Sequence, residues 1–533
     1  MEWLIRDWIE KEVQGRSMYS CISSAVLHGL KAELVKVEVD AGNGLPGFDM
    51  SGFLGSEVKE ARERVRVAIR NSGFNLMPQR IVVNISPADI RKHGTGFDLP
   101  IALGILAANG YINEARLDRM LVLGELGLNG DINGVPGVLP CVLCARNEGF
   151  DKAVIPIDNE NEGEIVDGIE VIAIANLKEA VRYINGEDVF SGNKNVTIKE
   201  TYCTQDSEML DFSDIRGGDA AKRATLIAVC GMHNIMYMGP PGSGKTMMAR
   251  RIPTIMPEMT FDERLEVTNI YSVAGQLGSK RGLINKRPFR APYCNVTKSA
   301  FLGGGMYPVP GEVTLAGKGV LFLDEMTEFR PDILEGLRQP LEDRRITIVR
   351  LNNSYVFPTD FMLVGAINPC RCGYYPDRNR CNCSEQDIER FLGRISNPLW
   401  DRFDMCVRTE QIKYSELQSE SIDEKEKDNE YTSEKMSDIV RRVRKIQMDR
   451  FRGRKIMFNS QMNSRDVAGF CRLGKAESKL MGDIYSKKHL TARGYHKILK
   501  TARTIADIEG NKNISMSNIS EAFYYRGIPD VKG

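Results

Sequence analysis

The chain has 533 residues, with 72 Lys or Arg against 71 Asp or Glu, for a formal net charge of +1. That balance excludes a global basic field, so any contact with nucleic acid must come from local patches. A hydrophobic content of 42% is ordinary for soluble globular domains, no apolar run approaches the ~20 residues of a membrane span, and the length calls for three or four domains.

The first stretch, MEWLIRDWIEKEVQGRS at 1–17, mixes acids with its apolar residues and lacks a basic region followed by an apolar one. It reads as an extension or a misassigned start, and not as a signal peptide. A cytoplasmic location is the expectation, with the twelve cysteines reduced, as thiols or metal ligands. Residues 18–184 mix β-rich runs (LVKVEVDA, RIVVNIS, MLVLGELGL, AVIPI) with helical stretches (GSEVKEARERVRVAIRNSG, DLPIALGILAANG), the pattern of an α/β domain. CVLC, with Cys141 and Cys144, lies in an apolar stretch and reads as core. A polar, aperiodic linker follows at 185–208.

Residues 209–412 alternate apolar strands (NIMYM, GVLFL, FMLVGAI) with helices, which predicts a parallel sheet with its ligand at the strand ends. After the first strand comes Gly239-Pro240-Pro241-Gly242-Ser243-Gly244-Lys245-Thr246, a complete G-x-x-x-x-G-K-[ST] phosphate loop ahead of a helix. Chance supplies about 0.02 such matches in a chain of this length. Its glycines let backbone N–H groups face phosphates, Lys245 supplies a positive charge, and the Thr246 hydroxyl is a Mg²⁺ ligand. ATP with Mg²⁺ is the cofactor expectation. The strand GVLFLDE ends in Asp324, placed for the Mg²⁺ shell, and Glu325, placed to polarise an attacking water. A third strand, FMLVGAINP, ends in Asn368, whose amide can orient that water against the γ-phosphate.

Immediately beyond, CRCGYYPDRNRCNC packs Cys370, Cys372, Cys381 and Cys383 into fourteen residues. Four thiolates suit a tetrahedral Zn²⁺, although C-x-C pairs are tighter than the usual C-x₂₋₄-C spacing; a cysteine-rich loop without metal is the other reading. Between the second and third strands, RRITIVRLNNSYVFPTD reads as a hairpin. An acidic linker is expected at 413–435 and a helical block at 436–533. Within that block RRVRKIQMDRFRGRK is basic and amphipathic, either a nucleic-acid patch or a solvated helix face.

Phosphate loop, acidic strand end and polar strand end in this order resemble the AAA+ ATPases. Further segments narrow the resemblance: DFSDIRGGDAAKRA, RPFRAPYC, GGGMYPVPGEVTLAGKGVLFLDEMTEF, LRQPLEDRRITI, NPCRCGYYPD and RISNPLWDRFD, with GLPGFDMSGFLGSEVKEARERVRVAIRNSGF upstream and LTARGYHKILKTARTIADIEG downstream. Together, over about residues 18–530, they resemble the YifB/ComM family of magnesium-chelatase-like AAA+ ATPases. The resemblance implies an AAA+ P-loop core with a parallel sheet, an N-terminal ribosomal-S5-like (Lon-peptidase-like) α/β domain and a C-terminal helical lid. It also implies a homo-hexameric ring with active sites between subunits. Arg402 then matches the arginine finger and Arg493 the sensor-2 arginine, with Arg394 a second finger candidate; by residue type alone each could be a surface ion-pair residue. The pre-sensor hairpin would carry Arg345 or Arg350 toward a nucleic-acid backbone in the pore. The family pattern also has the four cysteines, with NPCPCG where this chain has Arg371, and histidines where Tyr293 and Cys294 stand.

The N-terminal block resembles the Lon peptidase domain, yet it carries PADIRKHGTGFDLP, with Gly96, Phe97 and Asp98, where that peptidase has its serine, and no lysine in GVPGVLPCVLCARNEG. A nucleophile without its base is inert, so a binding or assembly role is expected. For the whole chain, the resemblance implies an ATP-driven DNA translocase or branch-migration helicase in recombination and natural transformation. The other class is a chelatase-type remodelling ATPase acting on a protein partner or on metal insertion, which requires no stimulation by DNA.

Overall fold

A computed structural model describes residues 18–42, 44–187, 210–278, 282–350, 353–411 and 431–527. The extension at 1–17, most of both linkers (188–208 and 413–430) and the hairpin turn at 351–352 lie outside the described residues. The chain divides into two units, Met1–Cys203 with Arg264–Ile284, and Thr204–Glu263 with Asn285–Gly533.

The N-terminal unit is built on strands β1 (Tyr19–His28), β2 (Lys31–Gly42), β3 (Gly47–Ser51), β4 (Arg80–Ser86), β5 (Met120–Val122), β8 (Lys152–Pro156) and β9 (Glu170–Ile174), in the order β3-β4-β2-β1-β5-β8-β9; β6 (Glu125–Leu126) and β7 (Ile132–Asn133) form a separate ribbon. Strict alternation in β2 turns Val35, Val37 and Val39 inward and Lys36 and Asp40 outward, as a half-buried strand requires. Helix α1 (Ser56–Asn71) buries Val58, Ala61, Val65 and Ala68 at helical spacing. Helix α2 (Asp98–Ala108) is buried at all eleven positions, and α3 (Val138–Asn147) and α4 (Leu177–Asn185) complete the unit. Asp98 is carried into this core because Arg64 donates to its carboxylate from Nε at 2.7 Å and Nη2 at 2.9 Å, and Leu126 N donates at 3.3 Å. Arg264–Ile284 packs here as well. Asn269 Nδ2 donates to Leu30 O at 3.0 Å, Gly137 N donates to Ser272 O at 3.1 Å, and the Ser272 hydroxyl donates to the buried Glu162.

The second unit carries helix α5 (Asp219–Gly231) and strands β10 (Ile235–Met238), β11 (Phe289–Arg290), β12 (Val320–Leu323), β15 (Met362–Ile367) and β16 (Met405–Arg408). The sheet order is β11-β12-β15-β10-β16, and every pairing is parallel. β10, β12 and β15 are buried at every residue, as continuous apolar runs must be when both faces of a parallel sheet are covered. One face packs helices α5, α6 (Lys245–Ile255), α9 (Ser433–Arg450) and α12 (Ala492–Ile508) through Ile227, Ile252, Val364, Val440 and Leu499. The other packs α8 (Glu385–Leu392) with Trp400 through Met236, Leu321 and Leu363. Helix α7 (Phe261–Val273) starts at the end of this unit's Thr204–Glu263 stretch and forms the first part of the inserted segment Arg264–Ile284, β13 (Arg345–Arg350) and β14 (Asn353–Pro358) form an antiparallel hairpin, and α10 (Ser464–Phe470), α11 (Lys475–Lys487) and α13 (Met516–Tyr524) finish the helical C-terminal part. No helix among the described residues is long and apolar enough to cross a membrane.

Asp404, just before β16, ties these helices to the sheet. It accepts from Asn234 N at 2.9 Å ahead of β10 and pairs with Lys497 of α12 at 3.1 Å. Its side chain is only 12% exposed. Burial pushes this carboxyl up, but the Lys497 ammonium, with help from His233, more than reverses that and holds it well below the usual carboxylate range. A carboxylate depressed in the folded state contributes stability that is complete above its unfolded value of about 3.9 and is lost as pH falls below it. Asp404→Ala leaves the Lys497 charge buried without its partner, and a loss of about 3–5 kcal/mol is expected in denaturant unfolding at pH 7. The gap between wild type and variant should narrow as the pH is taken below 4.

Candidate nucleotide site

The phosphate loop leaves β10 at Gly239 and enters α6 at Lys245. Gly242 and Gly244 hold φ of 74° and 80°, the left-handed region where a side chain is strained. Gly239 is needed for a different reason: a Cβ there would stand 2.1 Å from Thr409 Oγ1 and 2.3 Å from Thr409 O. Thr409 follows β16 and braces the loop, its N donating to Met238 O at 2.8 Å and its hydroxyl lying 2.7 Å from that of the buried Ser243. Pro241 and Gly242 at the loop's crest are exposed, and Pro240 is half-buried.

Lys245 Nζ donates to Gly239 O at 2.7 Å, Pro240 O at 2.9 Å and Asn368 Oδ1 at 3.1 Å. Burial pushes this ammonium below its usual value, opposed by the charges of Asp324 and Glu325. The Thr246 hydroxyl donates to Asp324 Oδ2 at 2.8 Å. Neighbouring ligands of an octahedral Mg²⁺ at 2.0–2.1 Å lie about 2.9 Å apart, so this pair of oxygens fits two adjacent positions of such a shell. Glu325 is exposed and adopts φ 46°, ψ 47°, a left-handed conformation that is costly outside glycine and that clusters at functional sites. The strand order explains the convergence. β15 lies between β10 and β12, so Asn368 at its end reaches the loop lysine while Asp324 at the end of β12 reaches Thr246 from α6.

The arginines are distributed differently. Arg402 Nη2 donates to Glu342 Oε2 at 2.5 Å and Arg493 Nη2 to Glu342 Oε1 at 3.0 Å, so one carboxylate bridges both. Arg402 O accepts from the side chain of Asn234, which precedes β10. Both arginines therefore lie at the N-terminal edge of the sheet, opposite the phosphate loop of the same chain. They line a cavity of about 430 Å³ with Arg344, His496, Lys497 and Lys500. Arg394 instead donates to Thr327 O at 3.2 Å and pairs with Glu328 at 3.1 Å, on the turn after Glu325. The hairpin residues Arg345 and Arg350 are exposed, Arg345 at its base and Arg350 in the last register pair before the turn.

Sequence reasoning missed three features. Glu342 is the first. The second is the loop after Gly303-Gly304-Gly305, which closes on itself through Gly304 and Val309 and accepts from Arg350 Nε at Gly305 O, 3.2 Å away; the triple glycine was the available signal. The third is that part of the basic run 441–455 is tied to internal partners, while Arg441, Lys445, Arg452 and Lys455 stay exposed. Arg442 donates to Ile508 O at 3.0 Å, Arg450 pairs with Asp507, and Arg454 pairs with Asp466. Tyr293 and Cys294 are both exposed.

The Sγ atoms of Cys370, Cys372, Cys381 and Cys383 all lie within 4.8 Å of one another, with Cys370 at 3.3 Å from Cys372 and 3.7 Å from Cys381. Thiolates 2.3 Å from a tetrahedral Zn²⁺ are about 3.8 Å apart, so the four donors fit such an ion. The Tyr374 backbone N–H lowers the Cys372 thiol to about 7. By contrast Cys141 is buried and its thiol is pushed up, as befits a core residue.

Three family profiles match the chain: "Magnesium chelatase, subunit ChlI" over residues 211–417, "Subunit ChlI of Mg-chelatase" over 37–159 and "Magnesium chelatase, subunit ChlI C-terminal" over 430–526. Competence protein ComM of Haemophilus influenzae is 38% identical over 501 residues, covering 94% of this chain and 96% of that protein. YifB of Escherichia coli is 33% identical over 509 residues, covering 96% and 97%. Lon protease 2 of Bacillus subtilis is 26% identical over 185 residues, 32% of each chain. Identity of this extent over nearly the whole length shows that the chain belongs to the YifB/ComM family of magnesium-chelatase-like AAA+ proteins.

Proposed function

We propose that this protein is an ATP-hydrolysing ring motor that translocates on DNA, a branch-migration helicase of recombination and natural transformation. The observation that carries the ATPase reading is the meeting of Lys245, Thr246, Asp324 and Asn368 at one strand edge. In this reading the phosphates take over the contacts that Lys245 now makes with Gly239 O and Pro240 O. Thr246 and Asp324 would hold Mg²⁺, which when bound would supply positive charge against the negative charge that develops on the phosphates. Glu325 takes the proton of the attacking water, and Asn368 orients that water.

Arg402 and Arg493 sit at the sheet edge opposite their own phosphate loop, which supports a site completed by another subunit. Arg402 and Arg493 are read as belonging to the neighbour's γ-phosphate in a homo-hexamer, with Glu342 holding the pair in place until then. DNA as the cargo rests on the likeness to a competence protein and on the exposed Arg345 and Arg350 of the hairpin. The four cysteines are read as a structural Zn²⁺ site. The N-terminal unit is read as a binding or assembly domain and not as a peptidase, since Asp98 is held in the core by Arg64 where a nucleophile would be needed.

ATP turnover is expected to rise with a four-way DNA junction. Glu325→Gln should lower that turnover by about a hundredfold or more while nucleotide still binds. Arg350→Ala should weaken the response to DNA and flatten its salt dependence by about one unit of slope. Turnover indifferent to any DNA would move the cargo to a protein, as in the chelatase-type alternative. Arg402→Ala is expected to cost about a thousandfold in turnover. Mixing it with Lys245→Ala chains should restore part of the activity, because some interfaces then pair an intact loop with an intact finger; no recovery would place Arg402 outside the neighbour's site.

A further inference from the structure

The cysteine loop and the phosphate loop touch. Gly373, between Cys372 and Tyr374, holds φ +87°, and a Cβ built on it would stand 2.6 Å from Pro241 Cδ and 3.1 Å from Cγ. Real Cβ contacts as short as 2.6 Å essentially never occur, so any other residue here would make one of the loops shift. The same ribbon begins at Asn368, which receives Lys245, and reaches Cys370 two residues later. Cys370 and Cys381 are buried in one apolar cluster with Met238, the last residue of β10, with Tyr374 and Tyr375 packed against it. A cavity of about 470 Å³ separates the loops elsewhere, walled by Gly239 and Pro240 on one side and by Tyr374, Tyr375 and Arg380 on the other. Arg380 lies over the Tyr374 ring at 3.9 Å and donates to Gln411 Oε1 at 2.8 Å, two residues past the Thr409 brace. The phosphate loop is thus held by Thr409 on one flank and leaned on by the cysteine loop at its crest.

We infer that the cysteine loop is a clip on the nucleotide site: with its four thiols gathered on one metal ion, it presses Gly373 against Pro241 and keeps the phosphate loop and Asn368 in nucleotide-binding geometry. The inference rests on the ATPase and zinc readings above and adds a positioning role for Gly373, which touches no reacting atom. Physically, the loop from Asn368 to Cys383 has little regular structure of its own. Four ligands closing on one ion remove the freedom that would otherwise let it draw back from Pro241. Pro241 and Gly242 are exposed and carry no side-chain hydrogen bond to anchor the crest, so an external contact is what restrains it.

The test uses the full-length chain purified with zinc. Two quantities are read: metal per chain by elemental analysis, and affinity for a fluorescent methylanthraniloyl derivative of a non-hydrolysable ATP in Mg²⁺. Cys372→Ser/Cys383→Ser removes the two less buried donors and leaves the core cysteines in place. It should lose the zinc and bind the analogue about tenfold more weakly, the order expected when a supporting contact around a site is removed. Gly373→Asn puts a side chain at the contact, and asparagine tolerates the left-handed backbone. It should keep one zinc per chain and the wild-type thermal midpoint, yet weaken the analogue to a similar degree. A Cys372→Ser/Cys383→Ser protein that has lost its zinc but binds like the wild type overturns the clip. So does a Gly373→Asn protein with wild-type affinity, or a wild type that retains no zinc. A wild type that binds no nucleotide at all overturns the ATPase reading instead, and the clip falls with it.

Discussion

The position of β15 between β10 and β12 is the constraint on which the site depends. A parallel strand pair cannot be joined by a tight turn, so each strand is followed by a crossover and all strand ends of one polarity face the same edge. Inserting β15 into the middle brings its terminal Asn368 within 3.1 Å of Lys245. Asp324 on the far side of β15 reaches the nucleotide region through Thr246 of α6 and not through the loop itself. Three segments separated by 78 and 123 positions in the chain therefore act as one constellation. None of the three could be moved to another strand without losing it.

The same polarity separates the anion-binding end of the sheet from the edge that gathers the arginines. Helix α6 begins at the phosphate loop with free backbone N–H groups, so that edge is ready for negative charge. The opposite edge gathers Arg402, Arg493, Lys497 and Lys500 around Glu342 and Asp404. Within one chain the acids occupy the arginines, which keeps so many like charges together at modest cost. In the proposed ring, closure would bring the cationic edge of one subunit to the phosphates bound by the next. The Asp404–Lys497 pair joins α12, the helix that carries Arg493, to the start of β16, two residues beyond Arg402.

Much of this was legible in the chain as written. Lys245, Thr246 and Asp324 announce themselves because phosphate and Mg²⁺ chemistry demands particular residue types at short, fixed spacing next to an apolar strand. Asn368 was legible by its place at the end of the third such strand. The gathering of Cys370, Cys372, Cys381 and Cys383 was visible for the same reason, since a loop of fourteen residues keeps its ligands close whatever the rest of the fold does. The basic run at 441–455 is open in the sequence between a nucleic-acid patch and a solvated helix face: charge density along a helix does not say which of its arginines will meet Asp507, Asp466 and the Ile508 carbonyl.

What local pattern determined, then, is the chemistry of the individual pieces: a loop for phosphates, two carboxylates, a polar amide, four thiols and strands that alternate with helices. Tertiary structure alone decided which pieces meet. That Arg402 and Arg493, 91 positions apart, share Glu342 is a consequence of sheet polarity and of where α12 packs. That Arg264–Ile284 belongs with the N-terminal unit follows from contacts made by Asn269 and Ser272 more than a hundred positions away. That a side chain at position 373 would meet Pro241 follows from how the two loops pack. Spacing along the chain encodes contacts only while the chain between them is short or regular. Beyond that, the partner of a side chain is set by how strands and helices stack, and no local pattern carries that information.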